Sequence, residues 1–287
     1  MLAAAIGIAT PALARDLRVM SVNVRVPVDA DGANRWEARR DLFAATVARA
    51  DPDVIGTQEL HQRQGDDILR RLPRYNWFGR DRRGGHADEH MGIFYRRDRL
   101  TLIDQGDFWL SDTPAVPGSV SWSHPYPRMV TWGRFRDAQG RRFVLLDTHF
   151  PYRAGDEDAR AKAAALIMTR IEPIAGGDPV ILTGDFNTGP DSETHRVLTQ
   201  GLTDARLSTE RPSGPAATFH NFTGTPDRRI DWILVRGFSV DAFTTDTAHD
   251  GQRYPSDHFP IITDLSRNAP TRQGVTPSVT AIGGAVR

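Results

Sequence analysis

Two stretches of this chain share one plan, strand–helix–strand, and each sets the polar residues that close its two strands 36 positions apart: Asn23 and Glu59 in the first, His149 and Asp185 in the second. In the first, "DLRVMSVNVRV" (16–26) alternates like a strand, and "RWEARRDLFAATVARA" (35–50) places Trp36, Leu42, Phe43, Val47 and Ala50 on one broad apolar face. Asp51-Pro52 ends that helix, because the residue before proline avoids the α region. "DVIGTQEL" (53–60) is then a short strand closing in Gln58-Glu59. In the second, "RRFVLLDTHF" (141–150) and "PVILTGDFN" (179–187) are strands on either side of the helical stretch 157–175. A helical crossover makes the strands it joins parallel, so their C-terminal ends share one edge, and open α/β sheets bind ligands outside such ends. The pattern predicts Asn23 and Glu59 together on one rim, and His149 and Asp185 on another.

Between the units, "YNWFGR", "MGIFYRRDRLTLIDQGDFWL" and "RMVTWGRFRD" look like antiparallel strands, with loops at 81–90 and 111–127. After them, 228–243 reads as strand–turn–strand and 256–265 as a loop feeding a last strand. No linker or tandem repeat divides the 287 residues, so a single domain over 15–266 is expected, with a mobile tail rich in Thr, Gly, Ser, Ala and Pro at 267–287. The apolar, uncharged opening 1–14 ends in Ala12-Leu13-Ala14, an A-x-A site, and predicts a signal peptide and a periplasmic or secreted protein. The other account of it is a short buried helix or first strand. No other stretch approaches the length of a membrane span.

Composition narrows the chemistry. Without cysteine there are no disulfides, thiol nucleophiles or zinc–thiolate sites. Lys plus Arg and Asp plus Glu are both 36, which lacks the basic surplus usual in proteins that hold long nucleic acid by its phosphates. What remains is a set of polar residues at strand ends and loop starts: Asn23, Glu59, His149, Asp185, Asn187, Asp231, Asp257 and His258. Glu59 and Asp257 are hard oxygen donors that suit Mg²⁺ or Mn²⁺. The histidines can bind phosphate oxygens or exchange protons near neutral pH, and Asp185 can accept a proton from water. Gly184 would let its strand turn sharply and push Asp185 and Asn187 outward. Each residue alone has a structural account: a core histidine at 149, an arginine-paired Asp231, a turn cap at Asp257-His258, a β-bulge at Asn23. The functional reading comes from the set.

The segments "SVNVR", "GTQEL", "IFYRRDR", "DTHF", "LTGDFNTGPDS", "RRIDWIL" and "SDHFPI" occur in an order that resembles the endonuclease/exonuclease/phosphatase superfamily over roughly residues 16–266. "PRMVTWGRF" further resembles a bacterial branch of it. The resemblance implies an α/β fold, a four-layer sandwich of two packed mixed sheets flanked by helices. It implies Glu59 as chief metal ligand with Asn23 and Asp257 beside it, Asp185 activating water, and Asn187 and His149 on the scissile phosphate. It further implies His258 stabilising the phosphoryl oxygens, with Asp231 orienting His258.

Arg25 departs from the acidic residue many nucleases of the family carry there, and it adds positive charge beside the metal. Arg128 and Arg153 are further phosphate-binding candidates, since arginine suits bidentate phosphate contacts; for Arg128 a structural ion pair is an equal account. His86, His90, Trp122 and His124 lie in the long loops that should vary with substrate, shaping a leaving-group pocket or simply solvated. The expected activity is Mg²⁺- or Mn²⁺-dependent hydrolysis of a phosphodiester or phosphomonoester by in-line attack of water, on a small molecule or lipid headgroup rather than duplex DNA. A periplasmic or secreted nuclease is the alternative enzyme, and a catalytically silent ligand-binding module is the alternative of another class. No obligate protein partner is evident.

Overall fold

The computed structural model describes residues 16–267. The expected signal peptide at 1–14 lies outside the described residues, as does the expected tail from 268 onward. In chain order the elements are β1 (Leu17–Asn23), α1 (Trp36–Ala50), β2 (Val54–Leu60), α2 (Gln62–Arg71), β3 (Tyr75–Phe78), β4 (His90–Arg96), β5 (Leu100–Trp109), β6 (Met129–Asp137), β7 (Arg142–His149), α3 (Glu157–Ala175), β8 (Val180–Asp185), α4 (Glu193–Leu198), β9 (Thr203–Asp204), β10 (Asp231–Arg236), β11 (Phe238–Thr245) and β12 (Ile261–Arg267). They form two six-stranded sheets, ordered β11-β12-β1-β2-β4-β3 and β5-β6-β7-β8-β10-β9. The pairs β1–β2 and β7–β8 are parallel, as helical crossovers require, and their neighbours are antiparallel, so both sheets are mixed.

Alternation along the strands builds the layers. Leu17 and Val19 of β1, Phe143 and Leu145 of β7, Ile181 of β8 and Ile233 and Val235 of β10 meet between the sheets. The intervening residues point outward. Met20, Val22 and Ile55 pack under Trp36, Phe43, Val47 and Ile68 of α1 and α2, and Val144, Leu146 and Leu182 under Ala163, Ile167 and Leu198 of α3 and α4. Helix, sheet, sheet, helix is the four-layer sandwich that the sequence resemblance implied.

Following the inward positions toward the rim, apolar residues give way to polar ones. Above the inner core lies a layer of Ser21, Gly56, Gln58, Asp147 and Thr183, all from inward positions. Gln58 Nε2 and Thr183 Oγ1 both donate to Asp147 Oδ1, each at 2.7 Å, joining the sheets. Burial holds the Asp147 carboxyl well above the usual carboxylate range. Position 56 has to be glycine, because a Cβ there would sit 2.0 Å from Thr183 Oγ1. One step further along the same faces stand Asn23, His149, Asp185 and Asp231.

Two expectations change. Gly184 does not make the turn. It lies inside β8, where a Cβ would come within 2.7 Å of the Thr148 carbonyl oxygen, so glycine is there for the close approach of β7. The turn is made at Asn187, with φ +52°. Residues 228–243 do contain two strands, but β10 and β11 belong to different sheets, so the chain crosses the sandwich between them.

Candidate active site

The two rims predicted separately are one site. Asn23 Nδ2 donates to Glu59 Oε1 at 3.1 Å and to Asp185 Oδ2 at 3.0 Å, bridging the sheets with a single carboxamide. With carboxylates on both sides, this amide is oriented by its neighbours. Its Oδ1 accepts from the Arg25 backbone N–H at 2.8 Å, and Asp185 Oδ1 accepts from the Asn187 N–H at 3.0 Å in the same i to i+2 pattern. Arg25 and Asn187 both take left-handed backbone conformations, with φ +63° and +52°. So does Glu59, at +57°, beside a register shift between Thr57 and Leu60. Such residues are uncommon outside glycine and cluster at functional sites. The irregularity aims the Glu59 carboxylate at the rim, where its Oε2 accepts from the Val26 N–H at 3.0 Å.

On the other side of Asn23, Asp185 Oδ2 lies 3.6 Å from His149 Nε2 and 3.8 Å from His258 Nε2. His258 Nδ1 pairs with Asp231 Oδ2 at 2.9 Å. Burial opposes charge on His258, but Asp231, Asp185 and Asp257 outweigh it and push its pKa up to about 10. Burial, reinforced by the charge of Asp231, pushes Asp185 up to about 7. His149 goes the other way: burial, then Arg128, His258 and Arg82, hold it well below the ordinary imidazole range. The site therefore presents one neutral and one charged imidazole on either side of a carboxyl that titrates near neutrality.

Asp257 arrives on the segment before β12. Ser256 Oγ donates to the Asn23 carbonyl oxygen at 2.5 Å, and Arg39 of α1, fully buried, donates to the carbonyls of Val24 and Pro255 at 2.8 Å each. Burial and the charge of Glu59 raise the Asp257 carboxyl, while His258, Arg25 and Arg39 oppose. Arg25 is held in a fork by Asp31 and lies 3.7 Å from Asp257.

Two groups of side chains bear on cation binding. One ligand atom each of Asp185, Asp231 and His258 fall within 4.8 Å of one another. Within that group His258 Nδ1 is already taken by Asp231. The all-oxygen pair of Glu59 and Asp257, held against each other's charge, suits a hard divalent cation better. Asn23 organises these groups by donating to Glu59, rather than offering a free oxygen.

A cavity of about 420 Å³ opens over the rim. Of the sequence candidates, Arg25, Glu59, Arg128, His149, Asp185, Asn187, Asp257 and His258 line it. Asn23 and Asp231 lie directly behind. Arg153 does not enter it: its guanidinium forks onto Asp156 and donates to the Ser123 carbonyl. His86, His90, Trp122 and His124 are not among the lining residues either; His86 faces a separate cleft between the sheet edges, and Trp122 bonds Asp112. Sequence reasoning missed Arg82, Glu89, Tyr126, Tyr152, Phe219 and Arg228, which complete the wall. The one available signal for Arg82 and Glu89 was Asp81 ahead of Gly84-Gly85. Its carboxylate accepts from the N–H groups of Arg83, Gly85, Ala87 and Asp88 and folds that loop around itself. Burial, with the charge of Glu59, pushes Glu89 up to about 7.

Residues 20–258 match the family model described as Endonuclease/Exonuclease/phosphatase family. A solved protein of that description from Bacteroides vulgatus is 31% identical with a TM-score of 0.83, covering 88% of this chain and 99% of its own. A solved mannosyl-6-phosphatase of Bacteroides thetaiotaomicron is 32% identical with a TM-score of 0.82, covering 88% of this chain and all of its own. Among curated proteins, an uncharacterized protein of Acanthamoeba polyphaga mimivirus is 25% identical over 254 residues, 71% of this chain and 36% of that protein. The chain spans less than two thirds of the length of the first curated relatives it matches, 36%, 60% and 57%.

Proposed function

The chain belongs to the endonuclease/exonuclease/phosphatase family, whose members are phosphoester hydrolases, and from that premise we propose that it hydrolyses a phosphomonoester of a small molecule with Mg²⁺ or Mn²⁺ as cofactor. One observation carries the reading. Arg128 is 3% exposed and lines the cavity, and among the described residues its Nη1 is buried without a partner. A buried cation is costly unless an anion meets it. Glu89, Glu59 and Asp185 oppose that cost through their charge without hydrogen-bonding the guanidinium, and a phosphoryl group bound between Arg128, Asn187, His149 and His258 would supply a direct partner. The enclosed volume suits a small molecule, and the resemblance to a mannosyl-6-phosphatase favours a monoester.

In this reading Asp185 takes a proton from water as the water oxygen bonds to phosphorus in line with the ester oxygen. The phosphorus–oxygen bond to the alcohol breaks, and the leaving oxygen takes up a proton from solvent. His258 donates a hydrogen bond to a phosphoryl oxygen, and Asp231 keeps it charged to do so. His149, neutral, positions rather than charges the phosphate. Glu59 and Asp257 would hold the divalent cation, which when bound would supply positive charge against the developing charge of the ester. Residues 1–14 would direct the protein to the periplasm or outside the cell.

The test is release from a hexose 6-phosphate, a chromogenic monoester, the matching diester and plasmid DNA, each with Mg²⁺, Mn²⁺ or EDTA. We expect metal-dependent release of phosphate from the monoesters, abolished in His258→Ala. Preferential cleavage of the diester or of DNA, or undiminished turnover in EDTA, would overturn the proposal.

A further inference from the structure

The cavity wall carries a feature that phosphate chemistry does not use. Tyr126 and Tyr152 are among the exposed large hydrophobic residues, at 38% and 52%, and both line the cavity. Their ring centroids are 6.3 Å apart with planes tilted by 32°. The Arg82 guanidinium covers one face of Tyr126, 4.8 Å from its centroid. The pair is held in place: Arg153, next to Tyr152, donates to the Ser123 carbonyl of the Tyr126 loop, at 2.5 Å, while Asp156 grips its guanidinium.

In the lining of the same cavity, Glu89 Oε2 and His149 Nδ1 are 4.0 Å apart. Among the described residues the His149 atom is buried without a hydrogen-bond partner, and the other Glu89 oxygen pairs with Arg82 at 2.9 Å. That separation is too long for a direct hydrogen bond and short enough for one hydroxyl oxygen to bridge. The wall thus offers an apolar face and, beside it, unfilled capacity for a hydroxyl. A saturated ring bearing hydroxyls has both surfaces: C–H faces for the tyrosines and an edge of donors and acceptors.

Resting on the phosphomonoesterase reading, we infer that Tyr126 and Tyr152 form the specificity platform of this site and select leaving groups that are polyhydroxylated rings, as in hexose phosphates, over acyclic ones.

The experiment compares a hexose 6-phosphate with glycerol 3-phosphate, for the wild type and for Tyr126→Ala, Tyr152→Ala, Tyr126→Phe and Tyr152→Phe. Turnover is followed with Mg²⁺, and binding is followed by calorimetry in EDTA. We expect the hexose to be preferred by both readouts. The preference should fall by about fivefold for each alanine variant and survive in the phenylalanine variants. An equal loss for both ligands, or an unchanged preference, would overturn the platform. If neither ester turned over, the phosphomonoesterase reading would fall, and the binding ratios would still decide the platform.

Discussion

Both strand–helix–strand units brace the segment after their first strand with a helix arginine. Arg39 of α1 holds the carbonyls of Val24 and Arg25, and Arg160 of α3 holds those of Pro151 and Arg153 at 2.9 and 2.8 Å. Beyond that brace they part. The first unit ends in carboxylate: Glu59 has both oxygens fixed by Asn23 and the Val26 N–H, and it faces Asp257. The second unit ends in His149 and Asp185, and beside it two buried nitrogens, His149 Nδ1 and Arg128 Nη1, lack partners among the described residues. One frame used twice has made a carboxylate edge and an edge with unfilled nitrogens, with Asn23 as the seam. The contrast teaches that sites for opposite charges can sit side by side when each is prepaid by backbone and carboxamide hydrogen bonds.

The sharpest break is to disable each edge separately. Asp185→Asn should lower kcat by roughly 10³-fold at any metal concentration, because it removes the proton acceptor. Glu59→Gln should produce a loss that raising Mg²⁺ or Mn²⁺ partly restores. Metal titrations of the two variants separate the edges; rescue of both or of neither would merge them.

A second, gentler comparison uses pH. Asp185 must be ionised to accept a proton, so turnover should rise with pH through about 7. His258 must keep its proton, so turnover should fall through about 10. The charge of Asp231 raises both groups, as a like charge on one and an opposite charge on the other. Asp231→Asn should therefore move the whole bell to lower pH, which a kcat/KM profile would show. Displacement of only one limb would contradict the shared role of Asp231.

The smallest effect on chemistry is expected at Gly184. A methyl group there meets the Thr148 carbonyl, so Gly184→Ala should cost about 1–3 kcal/mol of stability by denaturant unfolding. It should leave kcat of the folded fraction near the wild type. A collapse of kcat with unchanged stability would return this glycine to the site.

Much of this was legible in the chain. The crossover units fixed which strand ends lie on a rim, and period-two patterning carried Asn23, His149, Asp185 and Asp231 to one face. What could not be read was anything set by non-periodic backbone. Glu59 reaches the rim through a left-handed residue that alternation does not encode. Arg153 looked like a free cation because its partners, Asp156 and the Ser123 carbonyl, meet it only in the folded loops. Helix α2 went unseen because its inward face includes Gln64, Gly65 and Asp67 with Ile68, a weak apolar signal. Tyr126 and Tyr152 are brought together by a loop-to-loop contact that no local pattern announces.

The placement of β12 has a consequence for biosynthesis. This strand, the last among the described residues, slots between β1 and β11 rather than adding to an edge. Its approach delivers Asp257 and His258, and it places Pro255 opposite Arg39, 216 residues earlier, and Ser256 opposite Asn23, 233 residues earlier. A nascent chain on the ribosome therefore carries the strand ends of both units long before it carries a working site. Translation that stops short of this segment leaves β11 cut off from β1 and no His258 beside Asp185. Such a product has two strand edges bare, those of β1 and β11, and a bare edge is a template for pairing with another chain.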